Sequence, residues 1–304
     1  MSLVHGAYHT PLMALSPGMG GHCRSVRMER RVSPSAVLQS PPAPAKTRPR
    51  PPSPRKMRMP TEPSDLVHFE STLEHRAWVY GTMGLLMGSV GIAGTHTDSP
   101  GEVLALLASC VASYYAADFV SGVVHWGLDN YGDGDTPFFG SQIAAFQGHH
   151  SEPWTITQRA FANNVHKVFK PATAPALVLL AAAPFTPSWL TTFGASLLLL
   201  LCLSQQTHAW AHKKPSQLPA AVLALQDAGV IVSCKVHGAH HRPPFEGNYC
   251  IVSGVWNPIL DGNGSDQGFF RRLERIVQAA TGVKPRCWTD PEGFAGAPEG
   301  DQDT

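Results

Sequence analysis

The sequence predicts an all-α integral membrane helical bundle with about four membrane-embedded helices and a histidine-rich di-metal site at one membrane face. Three observations lead there. Four long apolar stretches lie between residues 77 and 203. Nine of the fifteen histidines fall between His125 and His241, nearly all of them beside apolar segments. Polar turn sequences part the apolar runs so that those histidines can share one side of the membrane.

Ala77 to Gly94 is an uncharged run of 18 residues with five glycines, and its Gly84-Leu-Leu-Met-Gly88 spacing predicts close helix approach in lipid. His96-Thr-Asp-Ser-Pro-Gly reads as a turn, and Val103 to Val124 as a second span interrupted only by Asp118. That span delivers His125-Trp126 to the boundary, where Trp is favoured. Residues 127–170 are polar and Gly-rich and carry His149, His150 and His166. Two apolar runs follow, Pro171 to Ala183 and Leu190 to Leu203, joined by Pro184-Phe-Thr-Pro187. The first is short for a full span at about 1.5 Å per residue and is open to reading as half of a re-entrant pair. With either reading the chain returns to the side it left, so all nine histidines can meet. Leu218 to Val232, divided by Gln226-Asp227, reads as interfacial, and Asp266 to Gln278 as a short amphipathic helix with Phe269, Phe270, Leu273, Ile276 and Val277 apolar.

Residues 1–60 hold ten Lys or Arg against one acid, Glu29, and are rich in proline and serine from Val32 onward. Such a segment cannot bury enough apolar surface to fold, and its basic, acid-poor character is that of an organelle transit peptide. The domain expectation is therefore a disordered transit-like stretch over 1–60, a membrane domain over 61–290 and a disordered tail over 291–304. Net charge is +1 for the whole chain, and the remainder without its N-terminal stretch is acidic, so no global field recommends nucleic acid. The six cysteines show no CxxC pair, which argues against a disulfide framework or zinc ribbon.

Imidazole suits iron, copper, zinc and nickel, and a histidine cluster of this density without cysteines points to a metal. His208 and His212 are i and i+4; His237, His240 and His241 repeat that spacing. Adjacent residues on a helix diverge by about 100°, so His149-His150 could serve two metals, or supply one ligand and one supporting group. Asp118, two turns before His125, is better placed to orient another histidine than to share a metal with His125, or it is a helix-helix hydrogen-bond partner. Asp129, Glu152 and Asp227 compete for similar roles, and Asn163 and Asn164 could hold a metal-bound water. His5, His9, His22, His68, His75 and His96 stand alone and are read as ordinary side chains. No HExxH is present, and nine imidazoles exceed a zinc hydrolase's needs. A pair of irons able to activate O₂ remains.

The motifs His125-Trp-Gly-Leu-Asp-Asn-Tyr-Gly-Asp, Gly140-Ser-Gln-Ile-Ala-Ala-Phe-Gln-Gly-His-His150, Phe161-Ala-Asn-Asn-Val-His166, Gln205-Gln-Thr-His-Ala-Trp-Ala-His212, His237-Gly-Ala-His-His-Arg-Pro-Pro and Asn248-Tyr-Cys-Ile-Val-Ser-Gly-Val-Trp-Asn257 resemble the plant plastid fatty acid desaturase four family. Its superfamily includes plasmanylethanolamine desaturases. The resemblance implies a multi-pass thylakoid or envelope enzyme that places a trans double bond near the carboxyl end (delta-3) of palmitoyl chains on phosphatidylglycerol. It implies O₂ as co-substrate, ferredoxin as electron donor, and all nine histidines as ligands of two Fe ions. The rival expectations are vinyl-ether formation in plasmalogens, lipid hydroxylation, and a non-catalytic membrane metal-binding protein.

Overall fold

A computed structural model describes residues 69–264 and 267–291; the expectations for residues 1–60, for 292–304 and for Asp266 lie outside them. Every element is helical among the described residues, with α1 over Leu73–Thr95, α2 over Pro100–Asn130, α3 over Gly140–Ser151 and α4 over Thr155–Gln158. The order continues with α5 (Phe161–Ala182), α6 (Ser188–Ala211), α7 (Ala220–Asp227), α8 (Cys234–His240), α9 (Asn257–Leu260), α10 (Phe269–Thr281) and α11 (Arg286–Thr289). Four of these, α1, α2, α5 with its 3₁₀ extension to Phe185, and α6, are long and apolar enough to cross a membrane.

Helix starts follow from local chemistry. Thr72 caps α1 by accepting the His75 N–H, while the Thr72 N–H donates to His75 Nδ1. Ser99 and Glu102 make the same reciprocal box at α2, with Pro100 in the first turn. The third span differs from expectation. α5 begins ten residues before Pro171 and carries Pro171 and Pro175 inside, so it is a full-length helix rather than half of a re-entrant pair. Its first half escapes a search for apolar runs because only one face is apolar: Ala162, Val165, Phe169, Ala172 and Ala176 are buried at helical spacing.

α1 packs on α5 and α2 on α6. Val79, Val165, Phe169 and Cys202 form one core, and Leu86, Ala176 and Ala195 another. Small and hydroxylated residues fill the helix seams, with Thr82 Oγ1 2.7 Å from Thr173 Oγ1. The expected Gly84 contact is not made: a Cβ at Gly84 would meet nothing within 4 Å, whereas one at Gly88 would reach Leu180 at 3.3 Å. Leu104, Leu107, Val111, Leu177 and Val178 face outward, which is the lipid-facing arrangement of helices apolar all round.

The N-terminal ends of α1 and α5 meet at the Ala160 N–H to Phe69 carbonyl bond (2.8 Å), the start of α5 meets the end of α6 at Asn164, and the ends of α2 and α6 meet where the His125 and His208 rings lie 5.7 Å apart. Over that end lie α8, the 245–256 segment and α10, whose Phe270, Leu273 and Val277 pack with Trp126 and Tyr249. Phe269 and Ile276, expected on the apolar face of α10, are exposed.

Candidate metal centre

Two sets of side chains converge at this end of the bundle. His149, His208, His212, His237 and His241 form one; His125, Asp129, His150 and His240 form the other; within each, the ligand atoms all lie within 4.8 Å of one another. The grouping follows from helical geometry. His208 and His212 share one face of α6 and its cap, and His237 and His241 share one face of α8. His240 is turned to the second set, and the adjacent pair on α3 divides, His149 to the first and His150 to the second. The sets adjoin, since the His150 and His241 rings stack with centroids 4.7 Å apart.

In the first set Nε2 faces Nε2. His212 Nε2 lies 2.9 Å from those of His149 and His237 and 3.2 Å from that of His208, and His241 Nε2 is 3.1 Å from His237 Nε2. A neutral imidazole nitrogen carries either one proton or one lone pair, so His212 can satisfy one of its three neighbours by hydrogen bonding and no more. Lone pairs converging on one cation satisfy them all. The spacing fits as well: at a metal–nitrogen length of about 2.1 Å, ligands at right angles stand about 3.0 Å apart. In the second set Asp129 Oδ2 is 3.0 Å from His150 Nε2 and 3.2 Å from both His125 Nε2 and His240 Nε2. The latter two nitrogens and Asp129 Oδ1 are buried and make no aligned hydrogen bond. Three imidazoles around one buried carboxylate are a fitting donor set for a divalent metal.

The opposite ring nitrogens hold the rings in register. His125 Nδ1 donates to the Tyr249 carbonyl and His240 Nδ1 to the Gly247 carbonyl, each at 2.9 Å, which leaves both Nε2 lone pairs free to bind metal. His208 Nδ1 faces Gln205 Oε1 at 3.4 Å. The segment supplying those carbonyls is itself fastened. Asp118 accepts the N–H groups of Ser253, Gly254 and Trp256 at 2.7, 2.9 and 3.3 Å, and Ser121 accepts that of Ile251. Asp261 accepts the Asn248 N–H, and Gly247 has φ +76°, with its α-carbon so near Asp261 that a Cβ would stand 2.8 Å from the carboxylate.

Gly122 lets this segment approach α2: a Cβ there would collide with Cys250 Sγ and fall 3.3 Å from the Cys250 nitrogen. Gly122→Ala is expected to cost about 1–3 kcal/mol. A lowered thermal midpoint in detergent checks this; an unchanged midpoint would show that the segment yields freely.

Burial and the neighbouring imidazoles push the histidines outside the spans down from their ordinary value: His149, His237 and His241 far down, His240 to about 4 and His212 to about 3. They are neutral, the form that binds metal. In the unfolded chain they titrate near 6.5, so below that pH the unfolded state takes up protons that the fold refuses. The metal-free protein should therefore lose stability as pH falls from about 6.5 through about 4 at His240. Thermal midpoints at about pH 7.5 and about pH 5 should fall in that order, and equal midpoints would contradict the buried neutral cluster.

Not every sequence expectation gathers here. His166 is outside both sets; its ring stacks on that of His75 at 3.9 Å and its Nδ1 donates to the Asn163 carbonyl. Asp118 orients the 253–256 backbone instead of a histidine ring, because its carboxylate is used by three backbone N–H groups. Asn163 donates to the Glu70 carbonyl and accepts from Arg159, and Asn164 donates to Gln205 and Gln206, so neither faces the metal sets. Asp227 is exposed at the end of α7, and Glu152 is exposed after α3. Asp129, by contrast, stands in the second set itself, one helical turn after His125. Sequence reasoning missed the Tyr249 and Gly247 carbonyls, which no side-chain pattern announces. It also missed Glu274, buried under Trp126 and Trp288, whose indole N–H groups donate to it while Arg271 pairs with it at 2.7 Å.

The lipid desaturase domain family matches residues 114–288, more than half of the chain and every member of both sets. The chain belongs to the lipid desaturase family. This lipid desaturase is 42% identical over 230 residues to fatty acid desaturase 4-like 1, chloroplastic, of Arabidopsis thaliana, covering 73% of the chain and 74% of that relative. It is 43% identical over 222 residues to fatty acid desaturase 4, chloroplastic, of the same plant, covering 72% and 66%. Plasmanylethanolamine desaturase 1 of Mus musculus is 36% identical over 185 residues, covering 58% and 66%. No solved structure matches the chain. The protein is thus an O₂-dependent lipid desaturase with a candidate histidine metal site, and its chloroplastic relatives and four spanning helices make it a multi-pass chloroplast membrane protein.

Proposed function

We propose that this lipid desaturase introduces a trans double bond at the delta-3 position of palmitoyl chains on phosphatidylglycerol, using two irons, with ferredoxin as electron donor. The observation that carries the reading is the depth of the site. Both sets lie where the spanning helices end, so a lipid lying in the membrane offers them the carbons beside its headgroup. His149, His208, His212, His237 and His241 would hold one iron, and His125, Asp129, His150 and His240 the other. Iron bound there supplies the oxidising power needed to remove hydrogen from an unactivated C–H bond. The protein's own part is to keep His149, His212, His237, His240 and His241 neutral, fix the His125 and His240 rings through Nδ1, and exclude water around buried His125, His208, His237 and His240. In the overall balance two hydrogens leave the acyl chain and O₂ becomes two waters, with two further electrons from the donor and two protons from the solvent. Residues 1–60 would serve as the import segment, as their basic, acid-poor composition suggests.

A second reading is supported by the plasmanylethanolamine desaturases of Mus musculus and Myxococcus xanthus, 36% and 32% identical. A vinyl ether also forms beside the headgroup, so depth does not separate the two. The test is expression in a host containing phosphatidylglycerol and a ferredoxin system, then mass spectrometry with double-bond localisation. A trans-unsaturated palmitoyl group confined to phosphatidylglycerol is expected. A vinyl ether made from supplied ether lipids, with no acyl product, would move the protein to the second reading, and a double bond near the methyl end would contradict the depth argument.

A further inference from the structure

His75 and His166, one read as an ordinary side chain and the other as a ligand, meet in a different place. Their rings stack at 3.9 Å and 20° where α1 and α5 begin. Half-buried Arg159 lies just before α5 and reaches Asn163 Oδ1 at 3.2 Å, and its charge is felt by His75, His166 and Lys167. Among the described residues neither Arg159 nor Lys167 pairs with a carboxylate. The nearby Glu74 is taken up by Lys170 at 3.5 Å and by the Trp78 indole N–H at 3.1 Å. Cations gathered without a counter-charge repel one another, and an anion relieves that repulsion.

The level of the cluster identifies the anion's setting. Trp78, with Lys170 over its ring at 5.3 Å, marks the membrane boundary. His75 and Lys167 each stand three residues before that pair, one turn nearer the water, at headgroup level. Because His75 Nδ1 accepts the Thr72 N–H, the ring proton sits on Nε2 as a donor. The cluster also adjoins the metal sets: Asn164 donates to the Gln205 carbonyl at 3.1 Å, and Gln205 Oε1 faces His208 Nδ1.

We propose that Arg159, Lys167 and the Nε2–H of His75 bind the phosphodiester of the substrate phospholipid, with His166 as a positioning residue that holds the His75 ring by stacking. Arginine and lysine are the usual partners of phosphate oxygens, and only a glycerol carbon or two and the ester link separate that phosphate from the carboxyl end of the acyl chain. The site rests on the reading above in taking an anionic phospholipid as substrate.

The experiment measures phosphatidylglycerol retained by the full-length, metal-loaded protein in detergent by native mass spectrometry, beside turnover. R159Q/K167Q should retain about tenfold less phosphatidylglycerol than the parent and show a raised KM with a smaller change in kcat, at unchanged iron content. R159K should restore binding in the K167-intact protein, and H166A should fall between. K170Q, outside the cluster, should bind as the parent does. Equal retention by R159Q/K167Q, or by the milder K167Q together with R159Q taken singly, would overturn the site. Millimolar inorganic phosphate should leave bound lipid in place; phosphate binding there without any lipid retention would overturn the lipid source. Lipid retention dependent on these residues, without a delta-3 product, would keep the site and overturn the functional reading. Product formed by R159Q/K167Q at the parent KM would do the reverse.

Discussion

Asp129→Asn is expected to lower desaturation by about 100-fold or more and to remove iron from one of the two sets while leaving the other filled. Asp129 Oδ2 stands within 3.2 Å of three imidazole nitrogens in a pocket where the carboxylate is 2% exposed. The amide keeps the shape and one oxygen, so packing against His125 and His240 survives. What it removes is the negative charge that offsets a divalent cation in a buried site. Iron analysis and lipid turnover on the same preparation check this. Full iron and full turnover would show that the three histidines suffice and that Asp129 is only their neighbour.

His208→Ala and His241→Ala are expected to abolish activity and reduce bound iron without disturbing membrane insertion. Each contributes an Nε2 to the five-histidine set, His208 from α6 and His241 from the cap of α8. Removing one of five ligands opens the set and leaves a buried gap that no neighbouring side chain fills with a donor of the same kind. His96→Ala supplies the contrast. His96 caps α1 at the end of the bundle remote from both sets, beside Glu102 and Trp189, and its loss should be nearly silent. Retained turnover in either ligand variant would remove that histidine from the set. An inactive His96→Ala would require a function at the far face.

Much of this centre is legible in the sequence, for identifiable reasons. Long apolar runs announce α1, α2 and α6, the second broken only by Asp118, and spacings of three and four residues announce His208-His212 and His237-His240-His241 as shared faces. The pair His149-His150 is ambiguous alone, and helical rotation resolves it by sending one ring to each set. α5 was only half visible because its N-terminal half is amphipathic, and a hydropathy run registers both faces together. Asp118 and Asp129 look alike in sequence, each an acid on α2. Tertiary packing separates them, since the 253–256 backbone reaches one and three histidines surround the other. The carbonyls of Gly247 and Tyr249 carry no residue-type signal at all; the glycines that let the segment fold close, Gly122 and Gly247, are its nearest trace.

Metal stoichiometry distinguishes two filled sites from one. Two sets of side chains able to hold a metal stand side by side, one of five histidines and one of three histidines with Asp129. Elemental analysis of the purified, anaerobically iron-loaded protein should give two irons per chain, falling to one in Asp129→Asn. One iron or fewer in the intact chain, with activity fully present, would contradict two filled sites.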